Sequence, residues 1–168
     1  MKTIEMKRYK SAEWNFALDI PNRWNAFPPV PANNPYEVIR FASREYGAHL
    51  LTVMREPHDP RMTLKQRSDQ LKKLLAAKGF GNFTTTETAV NSRPALILDF
   101  NKFPYDVTAP LLLRGDRYVP MPDRLWSCRH YLLTDGTLAY TLGFGTTDKK
   151  GMFGLFERMA GTFQTVPE

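Results

Sequence analysis

Cys128 and His130 are the residues whose types and spacing come nearest to a catalytic pair, since they alternate with Trp126 along one side of a segment with strand periodicity. Side chains at i and i+2 of a strand stand roughly 7 Å apart, too far for direct proton transfer from thiol to imidazole. The expectation is a buried cysteine beside a hydrogen-bonded histidine. His49 and His58 fall in different segments without an acidic or histidine partner at helical spacing, and a lone cysteine supplies neither a disulfide nor a zinc cluster. No metal, cofactor or catalytic residue is therefore expected, and no nucleophile elbow, phosphate loop or dinucleotide fingerprint occurs. Asp99 lies mid-strand among apolar neighbours, where a sheet-edge or capping contact is the ordinary role of one carboxylate. Arg114-Gly115-Asp116 spells an extracellular adhesion tripeptide by chance. Arg114, Arg117 and Arg124, around Leu111, Leu112 and Leu113, either bind a carboxylate or phosphate or keep that apolar triplet soluble.

Charge narrows the partners. The net charge is +6, and the segment from Arg55 to Lys78 holds seven basic residues against three acidic ones. Lys65, Lys72 and Lys73 lie off the apolar stripe of the helix read there, as on a solvated face. No nucleic-acid motif or stacking array accompanies the charge, so no nucleic-acid partner is expected. Met1 to Lys10 lacks the apolar run of a secretory signal, and no segment is long and apolar enough to span a membrane. The expectation is a cytoplasmic protein that does not insert into membranes. Its 168 residues fit one domain that buries about two-thirds of its unfolded surface.

The elements that must position these residues follow from periodicity. Phe16, Leu18 and Ile20 alternate in a first strand that Pro21 ends, with Trp24 in the turn after it. Residues 26–36 hold Pro28, Pro29, Pro31 and Pro35 and read as an extended loop. Val38 to Ser43 and Ala48 to Glu56 form a hairpin. Thr63 and Gln66, at capping-box spacing, open a helix whose buried edge is Leu64, Leu71, Leu74, Leu75 and Lys78 around Ser68, and which Gly79 and Phe80 stop. Phe83 to Val90 and Ala95 to Phe103 are strands joined by Asn91-Ser92-Arg93-Pro94, and residues 104–123 are an insertion. Trp126 to Leu133 and Thr137 to Gly145 form a hairpin whose Asp135-Gly136 suits a type I′ turn. Behind Thr146-Thr147-Asp148, the apolar Met152, Phe156, Met159 and Phe163 make one face of a helix that Gly151, Gly154 and Gly161 weaken, so it must dock on the sheet.

Leu18-Asp19-Ile20-Pro21 with Trp24, the hairpin and helix after it, Asn91-Ser92-Arg93-Pro94-Ala95-Leu96 and the ending through Met159 and Phe163 resemble the PsbP/Mog-like superfamily over nearly the whole chain. That resemblance implies an α+β fold: a single antiparallel β-sheet of about six or seven strands flanked by helices, an α/β/α sandwich. It also implies action by binding. Its members include photosystem extrinsic subunits, a Ran-GTPase-binding family and the cytoplasmic Eag chaperones of type VI secretion, the nearest analogue here. The Pro-rich loop and the 104–123 insertion depart from a minimal member, so no binding residues carry over.

The expected function is a non-catalytic module, an adaptor or secretion chaperone, gripping a protein or peptide with an apolar segment. A homodimer is left open. Its candidate contacts are Trp24, Phe27, Tyr36, Leu111, Leu112, Leu113, Arg114, Arg117 and Tyr118, in segments expected at the surface. They form either an open groove or a packed lid. The alternative is a small-molecule or lipid binder, with or without enzymatic activity, whose pocket lies between sheet and helix around Cys128 and His130.

Overall fold

The computed structural model describes residues 3–43, 49–102, 112–114, 117–119 and 125–166. In chain order they form β1 (Met6–Ser11), β2 (Phe16–Pro21), β3 (Trp24–Phe27), β4 (Glu37–Ser43), β5 (His49–Pro57), α1 (Leu64–Ala77), β6 (Gly81–Val90), β7 (Arg93–Lys102), β8 (Leu112–Arg114), β9 (Arg117–Val119), β10 (Trp126–Asp135), β11 (Leu138–Thr146), α2 (Lys149–Gly161) and β12 (Gln164–Thr165). The sheet is not single. Seven strands pair in the order β3-β4-β5-β11-β10-β7-β6, while β1-β2-β12 make a separate three-stranded sheet and β8-β9 a two-stranded ladder. Every pairing is antiparallel.

The register of β10 against β11 decides which side chains share a face. Asp135 pairs with Leu138, so the two-residue turn is Gly136-Thr137, one position later than Asp-Gly spacing suggests. Gly136 has φ +59°, and glycine at the first central position with one positive φ is the II′ pattern. Asp135 is a strand residue. On one face Tyr131, Leu133, Tyr140, Leu142 and Phe144 pack with Leu51, Val53 and Phe41, with Phe16, Leu18 and Ile20 of β2, and with Phe156, Met159 and Phe163. On the other face Cys128, Leu98 and Phe100 pack with Leu75 of α1, aided by Leu71, Phe80, Phe83 and Trp126. The sheet thus carries one helix on each face, with the three-stranded sheet sharing the face of α2.

Several local expectations hold in detail. Thr63 caps α1: its Oγ1 accepts the Gln66 N–H at 3.1 Å, and Gln66 Oε1 accepts the Thr63 N–H at 2.8 Å. Gly79, at φ +90°, ends the helix while Gly79 and Phe80 donate to Ala76 and Leu75, a Schellman stop. Asp148 caps α2 by accepting the Gly151 N–H at 3.1 Å. Phe156, Met159 and Phe163 are buried against the sheet, which offsets the helix-weakening glycines.

Other expectations are corrected. Trp24 is not a turn residue but begins β3, 4% exposed in the larger core, because its register partner Ser43 sits on the β2 side of the sheet. Residues 26 and 27 belong to that strand, so the Pro-rich loop starts at Pro28. β1 is a strand despite its lysines: Tyr9 sits edge-on to Phe41, with ring centroids 4.8 Å apart, while Arg8 reaches Asp19 at 3.1 Å. Leu74 is 64% exposed and Lys78 is exposed, since the contact side of α1 runs through Ser68 and Leu75. Asp99 is neither at an edge nor capping: it accepts both ends of the Arg129 fork across the β7–β10 pair, at 2.8 and 2.9 Å, and the guanidinium lies 4.7 Å from the Phe153 ring centroid.

Leu74→Ala and Leu75→Ala separate the two sides of α1. The first is expected to move the melting temperature by no more than about 2 °C, and the second to cost roughly 2–5 kcal/mol. Thermal unfolding followed by circular dichroism distinguishes them, and equal losses would contradict the observed rotation of the helix.

Candidate functional site

Face-sharing rows of residues run across the seven-stranded sheet on the side that carries α1. One row is Phe27, Arg40, Thr52, Gly143, His130 and Leu98; the next is Asn25, Ala42, Leu50, Gly145, Cys128 and Phe100. Helix α1 packs on β6, β7 and β10. Over β3, β4 and β5 the same face keeps Arg40, Ala42, Leu50, Thr52 and Met54 partly exposed, and Phe27 is 42% exposed.

Beside this open half runs β11, where Gly143 and Gly145 present no side chain and are buried under their neighbours. A Cβ on Gly145 would stand 2.3 Å from a ring carbon of Trp126, and one on Gly143 would stand 3.0 Å from Nε2 of His130 and 3.1 Å from the Met54 methyl. The Trp126 indole and the His130 imidazole therefore lie directly on the backbone of β11, as glycine in a strand interior permits. They form a rigid aromatic wall between the half covered by α1 and the open half.

At the far end of the open half stands Glu37. Its carboxylate is buried, accepts the Val30 N–H at 3.1 Å and pairs with Arg40. One carboxylate thus holds the Pro-rich loop against the sheet and neutralises the only cation in the Phe27 row. Tyr36, 45% exposed, leads from that loop into β4.

Electrostatics make the thiol and imidazole poor reagents. Burial pushes the Cys128 thiol far up, and the charge of Asp99 pushes it further, so the sulfur stays protonated at neutral pH. Desolvation pushes His130 down to about 4 against a smaller opposing pull from Asp99, which keeps the ring neutral. The hydrogen-bonded histidine expected from sequence is not seen at Nδ1 of His130, which is shielded and has no partner among the described residues, while the ring packs near-perpendicular to Phe100 with centroids 4.8 Å apart. The space beside Cys128 is occupied by the Phe100, Leu98 and Leu75 side chains. No group of three metal-ligating side chains converges among the described residues.

Among the candidates whose side chains are described, Trp24 lies on one face of the sheet while Phe27 lies on the other. Phe27 and Tyr36 lie at the end of the sheet where β3 stops and β4 starts. The insertion leaves β7 after Lys102 and rejoins at Trp126, which pairs with Lys102 at the opposite end. Within it Leu113 pairs with Tyr118, Arg114 with Arg117 and Leu112 with Val119 in the backbone register of the β8–β9 ladder; Leu111 and Arg124 lie outside the described residues. Trp24 is core. Sequence reasoning missed Trp126 as a wall and Glu37 as a loop anchor. The available signal for the first was Gly143-Phe144-Gly145, two glycines on one strand face beside a tryptophan strand.

Two outcomes check this geometry. Gly145→Ala must displace the Trp126 ring, with an expected loss of roughly 1–3 kcal/mol and a changed near-ultraviolet dichroism that Trp126→Phe reproduces. His130, lowered in the folded chain from an unfolded value of about 6.5, adds stability that is full above pH 6.5 and is lost as pH falls toward 4, by up to about 3 kcal/mol. His130→Gln should flatten the decline of melting temperature across that window, and parallel wild-type and variant curves would contradict a neutral buried ring.

No protein-family profile matches the chain, and no curated protein matches it by sequence. Solved structures do match in three dimensions. The cyanobacterial PsbP protein of Synechocystis aligns with a TM-score of 0.67 at 15% identity, over 98% of this chain and 94% of its own. The Ran-binding protein Mog1p of Saccharomyces cerevisiae aligns with a TM-score of 0.59 at 8% identity, over 98% and 97%. A Pseudomonas aeruginosa protein of unknown function, described as a putative regulator, aligns with a TM-score of 0.51 at 14% identity, over 97% and 99%. With two helices, a seven-stranded antiparallel sheet and a second small sheet, the chain has the PsbP/Mog-like fold.

Proposed function

We propose that this chain is a non-catalytic protein- or peptide-binding module that grips an apolar segment of a partner, as an adaptor or secretion chaperone in the cytoplasm. The observation that carries the reading is the open half of the α1-side face, where Ala42, Leu50 and Met54 stay partly exposed between Phe27 and the Trp126 and His130 rings that cover Gly143 and Gly145. An apolar strip bounded by aromatics and by one neutralised arginine suits an extended or helical apolar peptide. The protonated Cys128 and the neutral His130, whose Nδ1 has no partner among the described residues, argue against nucleophilic chemistry on this face. One structural neighbour, Mog1p, is by name a Ran-binding protein, which supports the class of function and not the partner.

On this reading Phe27 and Tyr36 contact the partner at one end, while Leu111, Leu112, Leu113, Arg114, Arg117 and Tyr118 contact it from the insertion at the other. Trp24 serves by supporting β3 from beneath.

The test is affinity capture of the folded protein from its own cytoplasm, comparing wild type with Phe27→Ser and with the triple variant Leu111→Ala, Leu112→Ala, Leu113→Ala. A stoichiometric partner lost in both variants, with melting temperatures within about 2 °C of wild type, is the expected result. If the variants retain the partner, the binding surface lies elsewhere. If thermal-shift screening finds a small molecule that stabilises wild type and loses its effect in His130→Gln, the pocket reading replaces this one.

A further inference from the structure

Among the described residues, the unpaired edges of the two larger sheets are protected unequally. β3 is four residues long and runs into Pro28-Pro29, β12 has two residues, and β1 carries Lys7, Arg8 and Lys10. Short edges, prolines and lysines are the usual devices that stop one sheet from adding to another. β6 has none of them. It is ten residues long, contains no Lys, Arg or Pro, and has Glu87 as its single charge. Thr84, Thr85, Thr86, Glu87 and Ala89 are exposed.

The turn beyond it reveals which backbone groups are free. Val90 pairs with Arg93 around the two-residue turn Asn91-Ser92, both at positive φ, +49° and +65°. In such a hairpin the residues flanking the turn exchange both ladder hydrogen bonds, and bonded and non-bonded pairs then alternate. Val90, Thr88, Thr86 and Thr84 bond inward to β7. Thr85, Glu87 and Ala89 therefore aim their N–H and C=O groups outward, at the unpaired edge. The bulge between Gly81 and Thr84 ends this regular stretch.

We propose that β6 is a self-association edge, pairing antiparallel with β6 of a second copy about a two-fold axis at Thr86. The strand is self-complementary in that register. Thr85 of each copy meets the partner's Glu87, so both residues of each bonded pair are ones whose backbone groups are free. Thr86 faces the partner's Thr86, and Thr84 the partner's Thr88, a ladder of threonines that favours cross-strand pairing. Neither Glu87 opposes the other, and no cation opposes a cation. Closed two-fold symmetry consumes the edge in one step and leaves no strand to propagate. The joined sheet extends the existing seven strands and leaves the open half around Phe27 and Met54 at the far side of each copy, since β3 and β6 are opposite ends of the strand order.

The experiment is sedimentation equilibrium of wild type, Thr85→Pro and Thr86→Pro up to about 100 µM, with melting curves alongside. Proline at Thr85 removes an outward N–H and blocks the edge, whereas proline at Thr86 removes a bond to β7. A wild-type dimer, a Thr85→Pro monomer with little change in melting temperature, and a clear loss of melting temperature in Thr86→Pro are expected. Should Thr85→Pro fail to fold, the double variant Thr85→Lys, Glu87→Lys keeps the backbone and sets lysine against lysine, and it should be monomeric. A monomeric wild type, or a dimer that survives in a folded blocked variant, overturns the proposal. So does a monomeric wild type that takes up an extended peptide on β6 and loses it in Thr85→Pro.

Discussion

The structure depends on the register between β10 and β11. β11 is the middle strand of seven, buried from Ala139 to Thr146 and bonded on both edges. Side chains on a strand alternate between faces, so a slip of one residue would send Tyr140, Leu142 and Phe144 to the α1 side and turn Gly143 and Gly145 toward the larger core. The two-residue turn at Gly136-Thr137 prevents that slip, because positive φ is available at one defined position. Every feature of the candidate site inherits this choice: Trp126 and His130 can lie on Gly145 and Gly143 only on the face opposite Phe144 and Phe156.

The two faces solve different packing problems. The α2 face must enclose large aromatics, and it does so with Phe144 stacked on Phe156 at 4.6 Å and Phe16 on Phe163 at 5.8 Å. Its buried charge is compensated locally, since Asp99 and Arg129 satisfy each other in a bidentate pair and Phe153 covers the guanidinium. The α1 face is smaller, and its helix has a narrow contact side, with Ser68 and Leu75 fully against the sheet. A helix about 10 Å across spans only about a third of a seven-stranded sheet whose strands lie about 5 Å apart, and α1 contacts β6, β7 and β10. The uncovered remainder is thus a consequence of having one helix on a broad sheet.

Legibility from sequence tracked how local each determinant is. The capping box at Thr63 and Gln66, the glycine stop at Gly79 and the docked side of α2 were readable because each is set within a few residues. The paired strands of the main sheet were readable from alternation. β1 was not, because Lys7, Arg8 and Lys10 hide two half-buried contacts, Met6 and Tyr9, whose value appears only when β2 lies beside them. Trp24 was misplaced for the same reason: a tryptophan three residues after a proline reads as a turn until its neighbour strand is known. The split into two sheets was invisible, since the closing strand β12 is two residues long and pairs with a segment almost 150 positions earlier.

The candidate site was the least readable part for a physical reason. Catalytic sites announce themselves by residue types whose chemistry few structural roles require, whereas a binding face is made of the same Phe, Leu, Met and Gly that build a core. Cys128 and His130 drew attention by type, yet their environment removes their reactivity: burial holds the thiol protonated, and desolvation keeps the imidazole neutral. What distinguishes this face is negative, the missing side chains at Gly143 and Gly145 and, among the described residues, the lack of a helix over β3, β4 and β5. Absence of a side chain costs strand stability. Two such absences on one strand face, each filled by a ring from the neighbouring strand, therefore mark the surface more sharply than any reactive group on it.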